Sequence, residues 1–221
     1  MIARDLVTDI IPLASVEDTI ADVLGWMDLY RVTHLPIGDT SEYLGLISES
    51  DLLGLPDQTR RLKSCLPHLE RVYASEQQHV FEVIEEFASH RLTLLPVLSE
   101  AKQYIGSITL TELVQKFSLL TSSGQPGAIL VLTMAARDYS LASLSRIIEE
   151  NNARILSLFV SPAPGSTEIQ VTIKINTTEI IAITRSLERF GYSVSSYFLD
   201  NDTVDDFYRS RYEELMNYMN L

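Results

Sequence analysis

The first half of the chain contains an internal repeat, which indicates that its fold is a pair of similar units. Residues 31–37 (RVTHLPI) match residues 91–97 (RLTLLPV) at Arg, Thr, Leu and Pro, with an offset of 60 positions. Farther along, residues 43–48 (YLGLIS) match residues 104–109 (YIGSIT) with an offset of 61. Because the register holds across both segments, we infer that one supersecondary unit is used twice.

Each repeat has the pattern of a β-α-β-β-α unit. Ser15-x-x-Asp18 and Ser75-x-x-Gln78 have the residue types of helix starts, so we expect a helix to begin at each. Short apolar runs around Gly38-Asp39-Thr40-Ser41 predict a β-hairpin. Apolar residues recur at helical spacing, at Ile20, Val23, Leu24 and Met27 and at Val80, Val83, Ile84 and Phe87. A second helix is expected from Ser50 toward Leu53, and from Thr111 to Phe117 in the other copy.

These motifs together resemble the CBS domain, a family whose members occur in pairs. The shared pattern is Leu-Pro-Ile/Val, a polar turn, a Gly-hydrophobic segment ending in Ser or Thr, and an acid at the start of a helix. The resemblance implies one CBS repeat at residues 1–57 and a second at residues 58–121.

The same resemblance implies an adenine nucleotide site between the repeats. In the family, the hydroxyl of Gly-h-x-Ser/Thr-x-x-Asp approaches phosphate or ribose and the carboxylate binds ribose hydroxyls. The first repeat supplies Ser48 and Asp51, and the second supplies Thr109 and Glu112. Adenine would contact apolar positions, namely Leu35, Pro36, Val72, Tyr73, Leu95 and Pro96. The alternative is that both segments are only capping boxes, which stabilise a helix without any ligand.

The second half has a different pattern, after a Ser/Gly/Pro stretch at residues 121–127. Strand and helix signals follow in the order β-α-β-β-α-β over residues 128–200, which is the ferredoxin-like arrangement. This half resembles the ACT domain in Leu141-Ala142 and in the segment 152–155 (NARI), so the fold class expected for the chain is α+β. Residues 201–221 have apolar residues at helical spacing and predict a C-terminal helix.

ACT domains bind amino acids or other small ligands at paired interfaces. The resemblance places the ligand loop at Arg137, Asp138, Tyr139 and Ser140, where the family's usual glycine is missing. A side chain there would crowd a small ligand, so simple dimerisation is the favoured alternative.

Composition excludes several classes of function. The net charge of −13 argues against nucleic acid as a partner, because phosphate backbones require clustered Lys and Arg. Cys65 is the only cysteine, so an intrachain disulfide and a thiolate metal cluster are both excluded. The four histidines lack metal-ligand spacing, and no apolar run is long enough to span a membrane. The start of the sequence lacks the layout of a secretion signal, which leads us to expect a cytoplasmic protein.

No catalytic motif is recognisable, so we predict a non-enzymatic regulatory protein without a cofactor. The leading hypothesis is a homodimeric sensor that binds AMP or another adenosyl compound between the repeats and signals to a regulated protein. AMP is easier to accommodate than ATP in so acidic a half. A ligand-free dimerisation scaffold and an amino-acid sensor acting through the ACT-like half are the alternatives.

Overall fold

The computed structural model describes residues 1–39 and 42–199 of the 221-residue chain. The chain divides into two compact units, Met1–Phe117 and Ser118–Leu221. The predicted C-terminal helix at residues 201–221 lies outside the described residues. Within the described ranges, no helix is both long enough and apolar enough to cross a membrane.

The first unit contains the predicted β-α-β-β-α element order twice. The first copy consists of β1 (Ala14–Ser15), α1 (Ile20–Tyr30), β2 (His34–Asp39), β3 (Glu42–Ser48) and α2 (Glu49–Leu53). The second copy consists of β4 (Ala74–Ser75), α3 (Val80–His90), β5 (Leu94–Leu98), β6 (Tyr104–Thr109) and α4 (Leu110–Leu120), which ends just past the boundary between the units. Short 3-10 helices precede the two copies, at Ala3–Leu6 and Leu62–His68.

The two copies have matching strand pairings. In each, a short first strand runs parallel to the second, and the second and third form an antiparallel hairpin. Leu35 pairs with Ile47 and Leu95 pairs with Ile108, and each hairpin has a register shift at the equivalent place. Apolar residues of both copies form one hydrophobic cluster, so the repeats share a core.

The expected helix starts at Ser15 and Ser75 are wrong. Both serines end short strands, and α1 and α3 begin four to five residues later, after Thr19 and His79. The Thr19 hydroxyl accepts the Asp22 N–H, while the Asp22 carboxylate accepts the Thr19 N–H. This reciprocal capping box fixes the true start of the helix, and the N–H of Ser15 is bound by Asp18 in a turn.

The repeats are joined by exchanged backbone segments. Leu46 of β3 exchanges backbone hydrogen bonds of 2.8 and 2.9 Å with Glu70, which leads into the second repeat. In the same way, Thr8, which leads into the first repeat, exchanges bonds of 2.8 and 3.2 Å with Ser107 of β6. Glycines stand beside both crossings, because a Cβ at Gly45 would lie 2.7 Å from Leu69 Cβ and one at Gly106 would lie 2.4 Å from Val7 Cγ1.

The second unit contains a four-stranded antiparallel sheet, in the order β10-β7-β9-β8. Its elements follow the predicted sequence, as β7 (Ala128–Met134), α5 (Leu141–Glu150), β8 (Ile155–Pro162), β9 (Ile169–Ile175), α6 (Ile181–Arg189) and β10 (Ser193–Leu199). Val171, Ile173 and Ile175 are buried on one face of β9, as their alternation predicts. Gly191, two residues after the end of α6, adopts the left-handed φ of 86° that commonly ends a helix.

Candidate functional site

A cavity of about 460 Å³ lies between the two repeats of the first unit. One wall is the end of α1 and the residues after it, and the opposite wall is the first turn of α4. The lining residues are Tyr30, Arg31, Val32, Thr93, Thr109, Leu110, Thr111, Glu112 and Gln115. The volume falls within the usual range for small-molecule sites, which is about 300–1,000 Å³.

Thr109 and Glu112 hold the helical wall of this cavity. The Thr109 hydroxyl accepts the Glu112 N–H at 3.2 Å and donates to the Glu112 carboxylate at 3.3 Å. Both side chains are half-buried. The start of an eleven-residue helix also presents a partial positive charge. Hydroxyl, carboxylate and helix terminus therefore meet at one wall.

Arg31, which the sequence motifs did not single out, is among the residues that line the cavity. It follows α1 with φ 57° and ψ 42°, a left-handed conformation that usually favours glycine. Arg91, its counterpart in the second repeat, has φ 52° and ψ 42°. The repeat alignment pairs these two arginines, and only the structure shows that Arg31 lines the cavity. Arg31 also forms an ion pair of 3.0 Å with Asp28.

The repeats meet beside the cavity at Thr33, His34 and Thr93. The Thr33 N–H donates to the Thr93 hydroxyl at 2.8 Å, and the Thr93 N–H donates to His34 Nδ1 at 3.4 Å. His34 Nδ1 also lies 3.1 Å from the Thr93 hydroxyl. Because Nδ1 accepts a backbone hydrogen bond, this contact requires His34 to be unprotonated at that nitrogen.

Burial lowers the pKa of His34 below its ordinary value of 6.5, although the carboxylates of Glu70 and Asp51 act in the opposite direction. The unfolded chain therefore binds a proton more readily than the folded chain, and stability should fall as the pH drops through and below 6.5. The second repeat has Leu94 at the position of His34. We therefore expect His34→Leu to remove this part of the pH dependence of the free energy of unfolding. Urea unfolding at several pH values measures it.

The matched control for this prediction is His68→Leu, because His68 is exposed. The control should lose stability on acidification as the wild type does. If stability depended on pH in the same way for His34→Leu and the wild type, titration of His34 would not contribute to the pH dependence of stability.

Ser48 and Asp51 occupy the equivalent position in the first repeat. The Ser48 hydroxyl accepts the Asp51 N–H at 3.1 Å and lies 2.5 Å from the Asp51 carboxylate, to which it donates. Helix α2, which these residues begin, has only five residues. They do not line the 460 Å³ cavity, and a ligand role for them stays a prediction.

The apolar residues expected to contact adenine lie elsewhere. Leu35 and Leu95 are fully buried in the shared core, and Pro36 and Pro96 beside them are buried too. These side chains therefore pack into the core and do not line the cavity. The apolar residues that do line it are Tyr30, Val32 and Leu110.

Val72 and Tyr73 form a separate aromatic cluster with Tyr43. The Tyr43 hydroxyl donates to the Val72 carbonyl at 2.7 Å, and the rings of Tyr43 and Tyr73 meet edge to face at 6.2 Å. Burial raises the pKa of Tyr43. Lys102 Nζ donates to the Tyr73 hydroxyl at 3.0 Å. The contacts of Tyr43 with Val72 and Tyr73 join the second repeat to the hairpin of the first.

In the second unit, the predicted ligand loop forms a short 3-10 turn, Ala136–Asp138. Arg137 and Asp138 are exposed and lie 3.7 Å apart. Tyr139 packs against the core of its unit, and the Ser140 hydroxyl caps α5 by accepting the Ser143 N–H at 3.3 Å. A ligand role for this loop stays a prediction. In the part of the chain that the structure describes, no group of three His, Cys, Asp or Glu side chains could hold a metal ion.

The CBS domain family model matches residues 66–119. Inosine-5'-monophosphate dehydrogenase of Methanocaldococcus jannaschii is 26% identical over 117 residues, which are 52% of this chain and 22% of that enzyme. The chain therefore spans less than a quarter of that relative. Among solved structures, the match to a CBS domain pair/ACT domain protein from Thermotoga maritima covers 53% of this chain and 96% of the Thermotoga chain, with a TM-score of 0.47 and 20% identity.

The match to a structure of CBSX2 in complex with AMP covers 53% of this chain and 96% of the CBSX2 chain, with a TM-score of 0.44 and 17% identity. The family match at residues 66–119 spans β4 through nearly all of α4. The helical wall of the cavity, from Thr109 to Gln115, lies inside that match. The CBS domain match therefore falls on the second β-α-β-β-α repeat of this chain.

Proposed function

We propose that this chain is a non-catalytic regulatory module that binds an adenine nucleotide in the cavity between its two repeats. The observation that carries the proposal is the convergence of Arg31, Thr109 and Glu112 on one cavity of about 460 Å³. Arg31 belongs to the first repeat and the other two belong to the second. Bound ligand would therefore touch both repeats at once and stabilise their mutual arrangement.

Each side chain has a chemical role suited to a nucleotide. The Arg31 guanidinium can bind phosphate in a bidentate manner, and the Thr109 and Thr111 hydroxyls can donate to its oxygens. The Glu112 carboxylate can accept hydrogen bonds from a ribose diol. Tyr30, Val32 and Leu110 offer apolar surface for the base. The cavity thus combines apolar surface with a few polar groups, as small-molecule sites usually do.

Charge favours a monophosphate over a triphosphate. The chain carries a net charge of −13, and Glu112 itself lines the cavity. The Arg31 guanidinium, which also pairs with Asp28, and one helix terminus offset the charge of a single phosphate more fully than that of three. AMP is thus the preferred ligand, with other adenosyl compounds as the related class.

The proposed module signals by pairing with a second copy and by contacting a separate regulated protein. A ligand that binds one dimer arrangement better than another shifts the population toward it. If no ligand binds, the chain is a dimerisation scaffold, because the contacts of Thr109 with Glu112 also serve as a helix cap.

Thermal melting of the full chain with AMP, ADP, ATP or S-adenosylmethionine tests the proposal. A ligand present at 100 times its Kd stabilises the folded chain by about 2.7 kcal/mol, so we expect AMP to raise the Tm by several degrees. Glu112→Ala should melt normally and lose the shift. The nucleotide proposal fails if no adenine compound raises the Tm, and a shift with amino acids alone would favour the second unit as the sensor.

A further inference from the structure

An exposed aromatic ring with two guanidiniums beside it lies where α5 and α6 of the second unit meet. Phe190 directly follows α6 and is 48% exposed. Arg146 of α5 and Arg189 of α6 place their guanidinium carbons 5.7 and 5.5 Å from the centre of the Phe190 ring. Both arginines are exposed. These three residues, which we call the Arg–Phe–Arg cluster, form one surface patch to which both helices contribute.

The positive charge of this cluster is only partly compensated within the described part of the chain. Arg146 Nε lies 3.9 Å from a Glu150 carboxylate oxygen. Arg189 forms no ion pair with any described residue, and Arg185, one turn earlier on α6, extends the basic surface. Because two like charges beside one ring repel each other, an acidic segment that binds both guanidiniums would stabilise the patch.

The sequence beyond β10 is complementary to the cluster. Residues 200–206 (DNDTVDD) carry four carboxylates and no base, and Phe207 and Tyr208 follow them. Residues 128–199 carry six acidic and six basic side chains, whereas residues 1–127 carry 18 acidic and 9 basic ones. Long-range charge therefore favours contact of the acidic segment with the second half of the chain over contact with the first.

The acidic segment starts at a point from which it can reach the cluster. Strand β10 spans about 20 Å from Ser193 to Leu199, at a rise of about 3.3 Å per residue. Phe190 lies near the Ser193 end of this strand, and α6 packs against the strand. The residue types that follow Leu199, Asp-Asn-Asp, favour a reversal of the chain. Six or seven extended residues then reach about 20–25 Å, which brings Asp205 and Asp206 level with Phe190.

We propose that residues 200–208 fold back and bind the Arg–Phe–Arg cluster of their own chain. The two adjacent carboxylates at positions 205–206 pair with its guanidiniums, and the Phe207 ring packs on the Phe190 ring. The segment thereby holds the residues that follow it beside the second unit. This contact is independent of the nucleotide cavity, so either proposal can fail without the other.

Limited digestion of the full chain with chymotrypsin tests the proposal, with cleavage after Phe207 and Tyr208 followed by mass spectrometry. When opening and closing are fast, the initial rate of cleavage reports the population of the undocked segment. We expect Arg146→Glu combined with Arg189→Glu to raise this rate about tenfold, because several charges reverse at once. Sodium chloride at about 1 M should accelerate cleavage of the wild type more than that of this variant, because salt screens exposed charges.

The matched control combines Arg137→Glu with Arg154→Glu. It makes the same change in charge at exposed arginines of the second unit that do not contact Phe190, and its cleavage rate should equal that of the wild type. Circular dichroism checks that each variant is folded.

A charge exchange provides a second test. Asp205→Arg combined with Asp206→Arg should expose the segment in the wild-type background. The same segment should be protected again in the background of Arg146→Glu and Arg189→Glu, where opposite charges face each other once more. Because the cleavage site is identical in these two proteins, the comparison isolates the contact.

Three results would overturn the proposal. They are equal cleavage of the wild type and the Arg146→Glu, Arg189→Glu variant, equal acceleration by the control, and no return of protection after the charge exchange. Protection that increased with protein concentration would place the segment on a second copy and would also overturn the contact within one chain.

Discussion

Gly106→Ala is expected to destabilise the first unit by about 3 kcal/mol or more, since it combines backbone strain with overpacking. Gly106 has a φ of 138°, a backbone conformation that residues other than glycine rarely adopt. Its new Cβ would lie 2.4 Å from Val7 Cγ1 and 2.9 Å from the Thr8 carbonyl oxygen. The added methyl group would push away the segment that pairs with Ser107 and joins the two repeats.

Urea unfolding followed by circular dichroism measures this effect, with Gly25→Ala as the matched control. Gly25 lies on the exposed side of α1, and a Cβ there meets nothing within 4 Å. Alanine should stabilise that helix by about 0.5–1 kcal/mol. If both substitutions changed stability equally, the close crossing at Gly106 would not be a major contributor to the fold.

Arg31→Ala is expected to weaken AMP binding about tenfold or more while leaving adenosine binding nearly unchanged. A hydrogen bond to a charged group contributes about 1.5–3 kcal/mol, which corresponds to this loss. The difference between AMP and adenosine isolates the phosphate contact. Replacement of a left-handed Arg31 by alanine retains the same backbone strain, so the fold should change little.

Arg91→Ala controls for this measurement because Arg91 has the same backbone conformation but does not line the cavity. Its AMP affinity should equal that of the wild type. The opposite result, with Arg91→Ala impaired and Arg31→Ala normal, would contradict the placement of the phosphate beside Arg31.

The repeated fold could be predicted because its signals are local and occur twice. The Leu-Pro pairs and the Gly-hydrophobic segments indicate the strands. In the structure, β2 and β3 of the first repeat are equivalent to β5 and β6 of the second. Helix starts were less certain from sequence. Ser15 and Thr19 are both good caps, and only the reciprocal contact of Thr19 with Asp22 decides between them.

The wall of the cavity could be predicted only in part. Thr109 and Glu112 belong to one motif and were identified from it. Arg31 lies far from them in sequence and joins them only through the packing of one repeat on the other. The burial of Leu35 and Leu95 was likewise hidden, because an apolar strand residue can face either a ligand or the core.

In the second unit, the strand and helix order could be predicted from alternation and helical spacing. Ile169, Val171, Ile173 and Ile175 indicated a strand with one buried face, and the structure confirms it for the last three. The sequence could not decide between a ligand role and simple dimerisation for the loop at residues 137–140, because the choice depends on the surroundings of the loop.

Isothermal titration of AMP into the full chain tests the central claim most directly. The account predicts saturable binding to a single site per chain, which Glu112→Ala abolishes although the variant remains folded. Absence of saturable binding at millimolar AMP, or binding of equal strength to Glu112→Ala, would contradict it.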